Sequence, residues 1–280
     1  MVNILKRIFG EKKNEITVRD VAALLAAIVT PAVHVVKTTA ISRSHFGGIP
    51  NLPQGIAWPE RNGKKLGFLA RLSLPEIHSA HSIDWLPDSG ALLFFYDMEE
   101  QPWGYDPEDR GSSVVLHVPD IPMADSLHLE TEDGDSILPH QNLAFRRIDV
   151  SPSWERESVR ALELNSKEDD LYFERTESVF QGEPKHQVSG FPSPVQGDQM
   201  ELECQLVTNG LYCGNPSGYE DPRAEALKPG ASNWRLLFQF DTDDDLDVMW
   251  GDCGTIYYWV EEHAARRGDF QNTWLVLQCG

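Results

Sequence analysis

The feature that most constrains this chain is the stretch over residues 233–260, NWRLLFQFDTDDDLDVMWGDCGTIYYWV. Two apolar runs, rich in aromatic and β-branched residues, enclose an aspartate-rich loop and a Trp-Gly-Asp turn. Each run has the length and composition of a strand, so the segment predicts two strands joined by an acidic loop. A diluted version stands earlier: Phe68, Leu69, Ala70, Arg71 and Leu72, a polar loop, then Gly90, Ala91, Leu92, Leu93, Phe94, Phe95 and Tyr96. Aligning the two puts Arg71 beside Gln239, Ser73 beside Asp241 and Gly90 beside Gly254. The match is one of apolar runs and turns, and it makes an internal duplication plausible. The fold class expected is therefore α+β and β-rich, with antiparallel sheets in two similar halves and few short helices.

The rest of the chain falls into place around these runs. Thr17 or Asp20 can cap a helix over residues 21–29, which ends before Pro31. Strands are predicted over 32–36, 67–72, 91–96, 114–118, 142–150 and 274–278, with a weaker one at 126–130 beside an acidic turn at 131–135. The Gly/Pro-dense segment 44–59 reads as an ordered loop. Residues 200–207 suit a strand or a helix start, 209–229 are loop-rich, and 260–267 predict a short helix. The resulting division is a helix and lead-in strand over 1–40, a first half over 41–150, a polar connector over 151–185 and a second half over 186–280.

With 280 residues the chain can bury a substantial core. Against 24 Lys+Arg stand 44 Asp+Glu, a formal net charge of -20. Such a surface repels phosphate backbones and disfavours nucleic acid; it suits cationic partners, divalent metals or solubility alone. Cys204, Cys213, Cys253 and Cys279 are too scattered for a disulfide framework, and no CxxC suggests structural zinc. Reduced thiols and a cytoplasmic location are expected. The basic, partly apolar residues 1–13 could touch a membrane surface or the protein body, while the apolar run 21–29 is too short to span a bilayer.

Taken together, SHFGGIPNLPQGIAWP, the PWGYDPED loop, SGFPSPVQGD and LLFQFDTDDDLDVMWGDCGTIYYWV resemble the YwqG-like family of bacterial proteins, a domain of unknown function. The resemblance spans about residues 41–279; the first copy departs from it at Arg71, where relatives commonly have glutamine. It implies an intracellular β-rich α+β protein of two similar halves and no particular reaction. Some relatives lie near polymorphic toxin genes, which associates the family with immunity-like binding.

Three chemistries compete at the level of residues. Asp241, Asp243, Asp245, Asp247 and Asp252 fall at positions 1, 3, 5, 7 and 12 of a calcium-loop register, so calcium or magnesium is conceivable. Against that, Leu246 stands where such a loop needs glycine, Asp252 replaces the long bidentate glutamate, and the flanks read as strands; a solvated acidic hairpin with no cofactor satisfies the same residues. Secondly, Gly47 and Gly48, Trp103, Tyr105 and Asp106, and Trp250 with Asp252 could line a ligand cleft between the halves, or the tryptophans could close cores under their turns. Thirdly, no HExxH, G-x-S-x-G, P-loop or dinucleotide fingerprint is present, His78 and His81 form only a loop-borne HxxH, and Cys253 sits among acids that make its thiol a poor nucleophile. The leading functional expectation is an acidic intracellular binding protein, of immunity type, that masks a basic partner. An enzyme or small-ligand protein with a cleft between the halves is the alternative, and a divalent-metal structural domain the second.

Overall fold

A computed structural model describes residues 17–50, 52–119 and 138–280. The basic N-terminal segment, the strand expected at 126–130 and the acidic turn after it lie outside the described residues. Ten strands form one antiparallel sheet. At its centre β1 (Thr30–Lys37) pairs with β8 (Gln141–Val150) over eight residues of each. Outward from β8 come β2 (His45–Phe46), β5 (Gly67–Ser73), β6 (Ala91–Tyr96) and β7 (Ser113–Val118). Outward from β1 come β9 (Gln187–Val188), β10 (Trp234–Asp241), β11 (Thr255–Glu261) and β12 (Trp274–Gln278). Each side thus has a two-residue strand, then a strand with an irregularity in register, between Phe68 and Ala70 or between Leu236 and Phe238. A small hairpin of β3 (Glu60–Arg61) and β4 (Lys64–Lys65) stands apart, its Asn62-Gly63 turn in the left-handed conformation that such two-residue loops require.

The sheet curls nearly into a barrel because both of its faces are apolar. All ten strands place side chains in one interior cluster, among them Val33, Phe46, Leu69, Leu92, Val115, Leu143, Val188, Phe238, Ile256 and Leu275. Across that interior the Tyr258 hydroxyl of β11 donates to the Phe95 carbonyl of β6 at 3.0 Å, and the Phe94 and Tyr258 rings meet edge-on at 5.1 Å. The alternate residues of β10, β11 and β12 face outward: Trp234, Leu236, Tyr257, Trp259, Trp274 and Val276 are covered by α5 (Met200–Thr208), α6 (Ser217–Glu220) and α7 (Ala224–Leu227). On the other side Phe68, Leu93 and Phe95 are covered by Leu52, Ile56, Trp58 and Leu66.

Most predicted strands are present within a residue or two of their expected ends. The helices are where expectation and structure differ. The polar stretch between β5 and β6 contains α2 (Leu74–Ala80), which starts with Pro75 in its first turn and buries only Leu74 and Ile77, too sparse an apolar face to show helical periodicity. The first helix, α1 (Val21–Leu25), is capped by Asp20 but ends earlier than its apolar run. Residues 151–185 hold α3 (Glu157–Arg160) and α4 (Ser166–Ser178), the latter opened by a reciprocal capping box between Asn165 and Glu168. Glu168 is fully buried and takes the Arg19 guanidinium at 2.6 Å, which joins α4 to the segment before α1. Residues 200–207 resolve as helix, and 209–229 fold into the short α6 and α7. The region 260–267 contains α8 (Glu262–Ala265).

One carboxyl in the outer layer couples folding to pH. Glu203 on α5 is 8% exposed within an apolar cluster; its Oε1 accepts from the Tyr219 hydroxyl at 3.3 Å, and its Oε2 has no partner among the described residues. Burial, reinforced by nearby Glu201 and Asp198, pushes its pKa up to about 7. The folded chain therefore holds a proton that the unfolded chain releases near pH ~4.3. The stability associated with that proton is fully present below the unfolded value and is lost as pH rises through 7. Measured against a Glu203→Gln variant, so that the buried histidines cancel, denaturant titrations should show a relative loss of about 3 kcal/mol between pH ~5 and ~8.

Candidate functional site

The β10–β11 hairpin forms the site. Between its strands Asp243 and Val248 make an isolated antiparallel bridge, and residues 244–246 form a single 3-10 turn that the Asp243 carboxylate caps at the Asp245 N–H, 3.0 Å away. Leu246, Val248 and Trp250 alternate inward and are buried in the interior core; Asp244, Asp245, Asp247 and Met249 alternate outward. Leu246, at the position where a calcium loop turns on glycine, is thus an anchor 1% exposed. Trp250 is fully buried, edge-on to Tyr96 and Phe240, so its ring closes the core under the turn. Asp252 is exposed beside it.

The loop is braced from below by a buried ionic node. Lys37, the last residue of β1, places Nζ at 2.7 and 2.9 Å from the two Asp243 oxygens and 2.6 Å from Asp245. His186 lies between the Phe46 and Phe240 rings, each 4.9 Å away, and its Nδ1 accepts from the Asp241 N–H. That leaves Nε2–H to donate to Asp243 at 3.1 Å. Burial holds the His186 pKa below its ordinary value, so the ring stays neutral. Burial alone would raise Asp243, but the hydrogen bonds from His186 and Lys37 outweigh it and hold the carboxyl down at about 2. Asp241 is engaged as well, accepting from the Thr255 hydroxyl at 2.7 Å and the Lys185 N–H at 2.9 Å. Asp241 and Asp243 therefore face protein donors, while Asp245 and Asp247 are exposed. Among the described residues no group of three or more His, Cys, Asp or Glu side chains is arranged to hold a metal ion.

The second aromatic loop joins this hairpin. Gln101 accepts from the Gly251 N–H at 2.9 Å and donates to the Met249 carbonyl at 3.3 Å. The chain then runs along the open edge of β12: the Trp103 carbonyl accepts from Leu277 N–H at 3.0 Å, and the Gly104 carbonyl from the Trp274 indole at 2.7 Å. Gly104 is required there, since its φ is +79° and a Cβ would sit 1.8 Å from the Leu275 carbonyl oxygen. Tyr105 packs on the outer cluster, its hydroxyl pKa raised by burial, and Asp106 caps the turn at 107–109 by accepting from Glu108 N–H. Trp103 itself is 46% exposed and Met249 49% exposed. Glu99 and Glu100 are exposed two and one residues before Gln101.

Of the residues singled out in sequence, the structure brings the Trp103 loop and the Trp250 turn together through Gln101. It holds Gly47 and Gly48 in a different setting, closing the turn after β2 with hydrogen bonds to Leu69 and Leu138; a Cβ on Gly47 would stand 2.3 Å from the Leu138 carbonyl oxygen. Sequence reasoning missed Gln101, Lys37 and His186. The one available signal was a lysine at the end of an otherwise apolar strand, which implies a carboxylate partner. All four cysteines are free thiols, and Cys253 is exposed.

The class that fold and site define is a curled antiparallel-sheet protein presenting a braced acidic hairpin. The family model described as Domain of unknown function (DUF1963) matches residues 44–279, and the chain belongs to that family. No curated protein matches it. None of the helices among the described residues is long and apolar enough to cross a membrane.

Removing the node and removing a rim charge should differ sharply. Asp243→Asn strands Lys37 without its buried partner and should cost about 2–3 kcal/mol in urea unfolding, whereas Asp244→Asn should change stability by less than ~0.5 kcal/mol. Equal effects would contradict the distinction between brace and rim.

Proposed function

We propose that this chain is an acidic binding protein that docks a basic protein partner on the face formed by the hairpin and the Trp103 loop. The observation that carries the reading is the alternation of the loop. Leu246, Val248 and Trp250 are anchored in the core while Asp244, Asp245, Asp247 and Asp252 stand in solvent around exposed Met249. Lys37, at 17% side-chain exposure, offsets one carboxylate of that rim, Asp245. Carboxylates held in place by a buried brace lose little freedom on binding, which favours affinity. An exposed Trp and Met between the charges supply the apolar contacts on which protein interfaces concentrate their energy. The net charge of -20 adds long-range steering of a cationic partner.

An immunity-type role, masking a basic toxin, is the finer form of this proposal; it rests on the resemblance to the YwqG-like family and its gene neighbourhoods. The mirrored strand order on either side of the β1–β8 pair supports descent of the two halves from a duplicated ancestor.

Basic proteins encoded beside this chain's gene are the partners to test by calorimetry. Binding should weaken at least about tenfold between ~50 and ~200 mM salt. It should be lost in an Asp244→Asn/Asp247→Asn/Asp252→Asn variant that still melts as the wild type does. No association at low salt would sink the proposal.

A further inference from the structure

The two most exposed aromatic side chains among the described residues, Trp154 at 56% and Phe173 at 49%, line the same groove. It runs between the segment after β8, the helix α4 and the segment after β9, with Pro192, Pro194 and the exposed Val195 on its far wall. Its cavity of about 200 Å³ is smaller than the ~300 Å³ at which small-molecule sites begin. Such a space suits one or two apolar side chains of a segment laid across it.

The walls of the groove are fixed from the buried side. The Tyr172 hydroxyl donates to the Pro152 carbonyl at 2.7 Å, which ties α4 to the segment that carries Trp154. The Tyr257 hydroxyl donates to the Ser193 carbonyl at 2.8 Å, and the Val195 and Gln196 N–H groups both donate to Gln278 at 3.0 Å. A surface held in this way loses little freedom when it is covered.

Charge and chain connection then select the occupant. Asp169 and Asp170 stand one turn before Phe173 on α4 and Glu177 one turn after it, all three exposed. Glu177 pairs with Lys185 at 2.6 Å, while Asp169 and Asp170 have no ion pair among the described residues. An apolar groove rimmed by carboxylates fits a segment that carries both apolar and basic side chains. Residues 2–13, VNILKRIFGEKK, have that composition: Ile4, Leu5, Ile8 and Phe9 with Lys6, Arg7, Lys12 and Lys13, against the single acid Glu11. They lead into the same helix, since the Thr17 carbonyl accepts from the Asn165 side chain at 3.4 Å and Arg19 holds Glu168 at 2.6 Å. Phe173 lies eight residues beyond Asn165, about 12 Å along α4 at a rise of ~1.5 Å per residue. About four residues of chain before Thr17 span that distance. So short a tether gives an effective concentration in the mM range, and a contact with a dissociation constant on the order of 0.1 mM is then closed about ten to one.

We propose that residues 2–13 dock in the Trp154–Phe173 groove of their own chain, with apolar side chains against the two aromatic walls and basic ones toward Asp169, Asp170 and Glu177. The test is the rate at which trypsin cleaves the full chain after Lys6, Arg7, Lys12 and Lys13, read by intact mass. Cleavage tracks the undocked fraction, so it should be at least about fivefold faster in Trp154→Ser/Phe173→Ser and in Asp169→Asn/Asp170→Asn than in the wild type. All four positions are exposed, and both variants should melt as the wild type does. Wild-type protection should not change with protein concentration, because the contact is intramolecular. A nitroxide on Asn3→Cys in a Cys253→Ser background should broaden the Trp154 indole N–H resonance in the full chain. Equal cleavage rates in the wild type and both variants, protection that grows with protein concentration as a second copy would give, or an unbroadened Trp154 resonance would each overturn the proposal.

Discussion

The fold depends on one constraint: a sheet with apolar residues on both faces has nowhere to leave either face in water. Curling solves the problem for one side, since the inner face then packs against itself, and every strand reaches the shared interior. The outer face cannot do the same. It is covered piecewise, by α5 to α7 over the second half and by the looping segment from Leu52 to Leu66 over the first. Helices α5 to α7 are consequently short and local, each covering one patch of outer sheet, whereas Leu74 and Ile77 of α2 and Ala265 of α8 join the interior cluster and α1 packs on α4.

The same constraint explains why the polar interior is confined to nodes. Lys37, Asp243 and His186 are each supplied by a different strand or turn, and their mutual hydrogen bonds leave no charge unpaired. Buried ions satisfied in this way add geometric definition more than net stability. Here the definition falls on the acidic loop, where Asp243 both receives the lysine and caps the following turn. The exposed carboxylates around it inherit a fixed arrangement from a node they do not belong to. The glutamines at 187, 239 and 278 do comparable work on the outer side, each binding backbone of the segment from Ser189 to Gly197. Its first residues, Ser189, Gly190 and Phe191, line a cavity together with Trp85, Trp234 and Trp259.

The hairpin face carries a surplus of negative charge with two exposed apolar side chains, a chemistry suited to a large basic surface. The β10–β11 hairpin serves both layers: Trp250 turns inward at one end, and Trp259 outward near the other.

By itself the sequence determined the strands and the acidic hairpin. The runs at 91–96, 236–240, 255–260 and 274–278 are so dense in aromatic and β-branched residues that local composition decides their state. Alternation in residues 246–250 likewise matches which side chains of the loop face the core, once its flanks are strands. Tertiary structure alone decided the rest. Helix α2 hides in a polar stretch because a helix that buries two side chains leaves no periodic signal. Lys37 and Asp243 are 206 residues apart, and nothing local selects that carboxylate over the forty-three others. The cavity beside Trp85, Trp234 and Trp259 is drawn from seven separate segments, so its indoles have no spacing to detect. Charge pairing and cavity shape are properties of distances between remote residues, and only the curl of the sheet sets those distances.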